Sequence, residues 1–360
     1  MKRVFCSDCE GPISKNDIAF EITSHYIPNG DKLFAAISKY DDALTDIIKR
    51  PNYKAGSTLK FILPFLKAYG LTDQKMREFS SQNLILIKGI KDTLQHIRKI
   101  AHAFIVSTSY EHYIKALCQA VDFPYEKTYC TGFSIDKYRT AEEEKISLKK
   151  IAEDIARMPQ IEIQKGTKTV TSPSKLDQRT IERFDEIFYE RIASMKIGKI
   201  LREVSPIGGS EKAQAVKNAV RRSTMSLADA MYVGDSITDV EAFKLITENG
   251  GLAVAFNGNY YAVRNAEVAV LSEHSIVTAV IADMFSRFGK EQTFSFVENW
   301  NHETLKKSEA DRALVKNLLA LYPTELPKVK IITPKNMETL AEESSEFRKK
   351  IRGEAIGRLG

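Results

Sequence analysis

The chain has 360 residues, of which 43% are apolar and 28% charged, with a formal net charge of +6. That is the composition of an ordinary folded protein, and the charge is too mild to argue for a nucleic-acid partner. Its apolar runs, such as Phe61 to Leu66, are too short to span a bilayer, no leader pattern follows Lys2 and Arg3, and four cysteines make no disulfide scaffold, so a cytoplasmic protein with no membrane partner is expected. A chain of this length exceeds what one core holds, which predicts several domains or one domain with large inserts. The first element is a short apolar strand, Val4-Phe5-Cys6, ending on Asp8-Cys9-Glu10-Gly11-Pro12. On a strand end Asp8 and Glu10 point the same way, because side chains alternate with period 2. Two adjacent carboxylates repel, and they are kept together where a cation or a proton transfer needs both.

Residues 16–87 follow with a helical period, broken at Pro28-Asn29-Gly30, Arg50-Pro51-Asn52 and 68–72. An apolar run at 84–90 leads into an amphipathic stretch, Lys91 to Lys99. Residues 103–106 read as a buried strand ending on Ser107-Thr108-Ser109, and Glu111 to Val121 as a helix. Two charged helical patterns occupy 140–158 and 174–202, separated by 166–173, and their default reading is solvated faces. Within the second, Phe184, Phe188 and Tyr189 lie at helical spacing, for which core packing is the default. Residues 231–234 form another strand, ending on Gly234-Asp235, with a helix from Thr238 to Ile246. Short strands at 252–256 and 267–271 come next, then amphipathic, heavily charged helices at 303–322 and 337–352. Strands buried on both faces and alternating with helices predict an α/β fold, a doubly wound parallel sheet with a helical cap and a further helical insertion. In such sheets the chemistry lies beyond the C-terminal strand ends, where Asp8, Glu10, Ser107, Thr108 and Asp235 fall.

In order, Asp8-Cys9-Glu10-Gly11, Ser107-Thr108 after a strand, Lys212 at a helix start and Gly234-Asp235-Ser236-Ile237-Thr238-Asp239 resemble the motifs of the haloacid dehalogenase-like (HAD) hydrolases. The helical first insert and the stretch from Tyr232 to Phe243 are most similar to the phosphoserine phosphatase branch. A weaker similarity is to archaeal members linked to energy-converting hydrogenases. The resemblance implies a core at 1–15, 88–133 and 205–289, a cap at 16–87, an insertion at 134–204 and a C-terminal helical extension at 290–360. It implies a Mg²⁺-dependent phosphatase acting on a small phosphorylated metabolite through an aspartyl-phosphate. Asp8 would be the nucleophile and Glu10 the general acid and base, with Lys212 neutralising charge. Asp8, the Glu10 carbonyl and Asp235 would hold Mg²⁺, while Ser107, Thr108 and Asp239 would serve the substrate phosphoryl group, Asp239 by orienting metal water or Lys212.

The chain departs from the pattern at Glu10, where the family's phosphatases usually carry Asp, and at Gly11-Pro12 in place of Gly-Thr. A proton-transfer group misplaced by about 1 Å loses roughly a hundredfold. The alternative is therefore a non-catalytic or regulatory relative that binds a protein partner, or itself, through 134–204 and 290–360. A dehalogenase is disfavoured, because that chemistry needs no Mg²⁺ and no Asp235 with Asp239. Cys6 and Cys9, three apart on a strand, point to opposite faces and read as small buried residues rather than a Zn pair. Asp17, Lys54, Lys60 and Arg77 are the cap's candidates for substrate contact.

Overall fold

Strands buried along their whole length build the centre of the molecule. In a computed structural model, which describes residues 2–162 and 173–359, seven strands form one sheet. They are β1 Val4–Ser7, β2 His102–Tyr110, β3 Thr128–Thr131, β4 Ala230–Gly234, β5 Leu252–Phe256, β6 Val268–Leu271 and β7 Lys328–Ile331. The order is β3-β2-β1-β4-β5-β6-β7, parallel throughout except for β7, which runs antiparallel to β6. This is the doubly wound α/β sheet expected. Successive residues serve opposite faces: Val4, Cys6, Phe104, Val106 and Tyr232 join one buried cluster, while Phe5, Ile105, Met231, Val233 and Val254 join the other. Both faces are apolar because helices cover both, and each strand reads as a continuous hydrophobic run. Cys6 and Cys9 are free thiols in these two different clusters.

Chain order reverses at β1. The chain crosses to β2 and β3 on one side and then returns to β4 on the other, so the C-terminal ends of β1, β2 and β4 open a crevice between them. Two edge strands lie outside the apolar pattern. β3 (TYCT) is mostly half-buried, and β7 (KVKI) buries only Val329 fully. The expected helical extension at 290–360 also holds a strand, β7, which the sequence pattern does not show: a four-residue strand with two lysines has too little apolar signal to stand out. The 303–322 pattern is likewise two helices, His302–Lys307 and Arg312–Leu321. The run at 84–90 joins no strand of the sheet and makes only isolated bridges, Leu86 with Ser14 and Lys88 with His274.

Segment 16–87 is helical, with helices at Ile18–Tyr26, Gly30–Asp42, Thr58–Phe61, Leu63–Ala68 and Asp73–Gln82. Segment 134–204 packs on it. Its Phe184 ring stacks on Tyr40 with centroids 4.7 Å apart, and its Phe188 ring on Phe61 at 4.3 Å. Aromatic pairs of this kind add about 0.5–1.5 kcal/mol to simple burial. Arg50 pairs with Asp185 at 2.6 Å across the same seam. The helix Glu142–Ala156 buries Leu148, Ile151, Ala152 and Ile155, so it is amphipathic rather than a wholly solvated face. Tyr189 departs from the core-packing expectation: it is 47% exposed and lies under the Arg50 guanidinium, 5.4 Å from the ring centre. The break expected at 166–173 falls, except for Pro173, outside the described residues.

Candidate active site

β1 stops where its last pleat meets β4. The Asp8 N–H donates to the Val233 carbonyl at 2.8 Å, which locks the residue just beyond the strand end. Its Oδ1 accepts from its neighbour's N–H, that of Cys9, at 2.6 Å. Its Oδ2 accepts from Lys212 Nζ at 2.6 Å. Lys212 lies in the first turn of the helix Ser210–Arg222 and is fully buried. Its ammonium also donates to Asp239 Oδ1 at 2.7 Å and to Thr238 Oγ1 at 3.0 Å, so all three N–H bonds are engaged. A charge this deep persists only with such partners. Burial alone would lower Lys212, but Asp239 and Asp8 beside it outweigh that and hold it above the usual lysine range. Burial pushes Asp8 up to about 6, with Lys212 opposing.

Two glycines let these groups meet. A Cβ on Gly234 would come 2.5 Å from the Asp239 carboxyl carbon. Gly11 turns at φ +109°, and a Cβ there would come 2.2 Å from Asp235 Oδ2. Asp8, Asp235 and Asp239 are all buried and offer oxygens within 4.8 Å of one another.

The expected site residues divide as follows. Asp8, Glu10, Thr108 and Asp235 line one small cavity of about 90 Å³. Thr108 Oγ1 is buried there without a hydrogen-bond partner among the described residues. Ser107 and Asp239 do not line that cavity: of Ser107 and Thr108, either of which was expected to donate to a phosphoryl oxygen, it is Thr108 that lines it, and Asp239 lies behind Lys212, which it was expected to orient. The Ser107 hydroxyl accepts from the Ser109 N–H at 3.1 Å, in the stretch where the register of β2 against β3 shifts. Asp239 is occupied by Lys212, by the Tyr232 hydroxyl at 2.6 Å, and by the N–H groups of Asp235 and Ser236, each at 3.0 Å. It therefore holds Lys212 and the Asp235 loop in place.

Glu10 turns toward the cap. Its Oε1 accepts from the Ile18 N–H at 2.7 Å, at the start of the helix Ile18–Tyr26 that Asp17 caps through Phe20 N–H at 3.0 Å. Burial, together with neighbouring Asp17, pushes the Glu10 carboxyl up to about 8. Of the four cap candidates only Asp17 lines the cavity, whereas Arg77 is exposed elsewhere and Lys54 donates to Ser205. Asp41 was not anticipated. It accepts from the N–H groups of Gly56 and Thr58 and from the Tyr53 hydroxyl, folding 53–58 into a loop whose Gly56 lies against Thr108.

Arg348 and Arg352, also unanticipated, come from the helix Met337–Arg352. Both donate to Asp235 Oδ2, Arg352 at 3.0 Å, and both line the cavity. Their spacing of four places them on one helix face, yet a charged stretch at the end of the chain reads as solvated.

Behind the cavity, Glu21 accepts from Asn16 Nδ2 at 2.8 and 3.0 Å, and burial pushes its carboxyl up to about 7 from an ordinary 4.5. A raised folded value means that the folded chain holds this proton more tightly than the unfolded one. The stability it confers is complete below about pH 4.5 and is lost as pH rises through about 7. Glu21→Gln should remove that loss, worth about 1–2 kcal/mol once solvent screening is allowed for. Urea denaturation at about pH 5 and about pH 8 checks it, since identical pH trends in variant and wild type would refute the assignment.

The fold and this centre together define an α/β protein with a buried carboxylate–lysine cluster at its switch point. Residues 59–284 match the family model described as haloacid dehalogenase-like hydrolase, and the chain belongs to that family. The match begins after β1, so Asp8 and Glu10 precede it. A gene product from Archaeoglobus fulgidus is similar in structure over 100% of this chain and 99% of its own, at 23% identity and a TM-score of 0.80, a likeness of fold. Phosphoserine phosphatase in its apo form aligns over 76% of this chain and 96% of its own, at 11% identity and a TM-score of 0.41. A HAD family hydrolase from Salmonella enterica serovar Typhi aligns over 75% of this chain and 66% of its own, at 10% identity and a TM-score of 0.42. No curated protein sequence matches the chain. No helix among the described residues is long and apolar enough to cross a membrane.

Proposed function

We propose that this hydrolase is a phosphatase that cleaves small phosphomonoesters through an aspartyl-phosphate on Asp8. The observation that carries the reading is the Asp8 carboxylate, oriented by Lys212 Nζ at 2.6 Å and sharing a cavity with the unpartnered Thr108 hydroxyl. An Asp8 oxygen attacks phosphorus, the ester P–O bond breaks, and the departing oxygen takes the proton held by Glu10. Water then attacks the acyl phosphate, giving its proton back to Glu10 and releasing inorganic phosphate. Thr108 donates to a phosphoryl oxygen, and Lys212 opposes the charge that builds beside Asp8. Asp239, with no oxygen facing the cavity, positions Lys212.

The donor set fits Mg²⁺ in kind: the buried carboxylates of Asp8 and Asp235 offer oxygens within 4.8 Å of each other, with Asp235 Oδ1 accepting from none of the described residues. Asp8, Asp235 and the Glu10 carbonyl would hold the ion, which would offset the repulsion between the Asp8 carboxylate and the phosphoryl oxygens. Segment 16–87 acts as the cap, its 53–58 loop roofing Thr108 and excluding water. Free thiols at Cys6, Cys9, Cys118 and Cys130 support work in a reducing compartment such as the cytoplasm.

A panel of phosphorylated metabolites assayed with Mg²⁺ and with EDTA tests this. At least one should be hydrolysed with Mg²⁺ and none in EDTA. In calorimetry Asp235→Asn should weaken Mg²⁺ binding, and equal affinity would remove the metal assignment. A panel that yields no turnover would favour the partner-binding alternative, for which the insertion offers Ile146 and Leu176, 71% and 57% exposed.

A further inference from the structure

The helix Met337–Arg352 is anchored beside the crevice before its arginines reach it. Ser344 Oγ donates to the Gly258 carbonyl at 2.7 Å, just past β5. One turn on, Arg348 passes over the end of β4 and is only 3% exposed. Its Nη1 donates to the Asp235 carboxylate and to the Asp235 carbonyl, the latter at 3.3 Å. Arg352 is engaged on all sides: Nε with the Lys15 carbonyl at 3.0 Å, Nη1 with Asp235 Oδ2 at 3.0 Å, and Nη2 with the Asn16 carbonyl. Arg352 therefore fastens the helix to the loop that leads into the cap.

Arg348 is not so engaged. Among the described residues its buried Nε has no partner, and the side chain lines the same cavity as Thr108, whose buried hydroxyl has none either. Arg348 and Thr108 both line this cavity, and each carries a buried donor with no acceptor among the described residues, which calls for a ligand rich in acceptors. A phosphoryl group supplies acceptor oxygens in the arrangement that a planar guanidinium fork matches. Lys212, Arg348 and Arg352 meet Asp8, Asp235 and Asp239. Glu10, Asp17, Asp41 and Asp42 also line the cavity, so among the described residues Arg348 and Arg352 are the only cationic side chains in its lining that can receive an anion.

We propose that Arg348 is a phosphoryl-binding residue of this active site, supplied by the helix Met337–Arg352. The proposal rests on the phosphatase reading above, but its test measures binding without turnover. Inorganic phosphate is titrated into the full chain, Arg348→Met and Arg348→Lys, in EDTA and again with Mg²⁺. Thermal denaturation checks that each variant is folded. Wild type should bind phosphate, and Arg348→Met should bind it roughly ten- to a hundredfold more weakly, the usual size of a charge-assisted hydrogen bond. Arg348→Lys keeps the charge beside Asp235 but not the Nε donor, and should lie roughly threefold or more below wild type. If Arg348→Met does not fold, the lysine variant decides, and unchanged phosphate affinity there overturns the proposal. So does wild type that binds no phosphate in either medium. Arg348→Met binding phosphate as tightly as wild type, or tighter, would make the helix a plug over Asp235 and would also overturn it. A chain that binds phosphate through Arg348 yet hydrolyses no phosphomonoester would end the phosphatase reading and leave this one standing.

Discussion

Asp8→Asn is expected to abolish phosphomonoester turnover, lowering kcat on the order of 10⁴-fold or more, as loss of a covalent nucleophile does. The amide keeps the shape. Its oxygen can still accept from Lys212, which also retains Asp239 at 2.7 Å, and only the bond from the Cys9 N–H is lost, so the fold should persist. What is lost is an oxygen able to attack phosphorus. Phosphate release measures the turnover. Mass spectrometry after acid quenching measures the adduct, which should be present on wild type during turnover and absent from the variant. Undiminished turnover in Asp8→Asn, with contaminating phosphatases excluded, would sink the covalent mechanism.

The second large effect is at Glu10. Glu10→Gln should lower kcat by about 10²–10⁴, the contribution of a general acid and base. Mg²⁺ binding should survive, because the expected ligand there is the main-chain carbonyl. The conservative variant is the more informative one. Glu10 reaches the Ile18 N–H at 2.7 Å, a bond that suits its length. Glu10→Asp, one methylene shorter, should lose that bond and remain below wild type in kcat, although Asp is the family's usual residue. A Glu10→Asp variant faster than wild type would mean that the extra methylene is a handicap. If Glu10→Gln turned over like wild type, Glu10 would not be the proton shuttle.

Much of this protein is legible in local chemistry. β1, β4, β5 and β6 are apolar on every residue or nearly so, as is β2 from Ala103 to Val106, and that pattern alone requires a sheet covered on both faces. A sheet of that kind has its crevice at the C-terminal strand ends, which is where Asp8, Thr108 and Asp235 stand. Cap helix breaks at Pro, Gly and Asn are equally local, because those residues restrict or free the backbone wherever they occur.

Tertiary structure alone decided which charged residues meet. Ser107 and Thr108 are adjacent and chemically alike, and only the folded path of β2, which shifts register between Val106 and Tyr110, decides that Thr108 rather than Ser107 lines the cavity. Phe184 and Phe188 were expected to be in a core, but that they share it with Tyr40 and Phe61 of the cap depends on contacts over 100 residues apart in sequence. β7 and the helix Met337–Arg352 carry too many lysines, arginines and glutamates for periodicity to separate a buried polar face from a solvated one. Arg348 and Asp235 lie 113 positions apart, and a guanidinium becomes a buried partner only when the rest of the fold supplies a carboxylate to receive it.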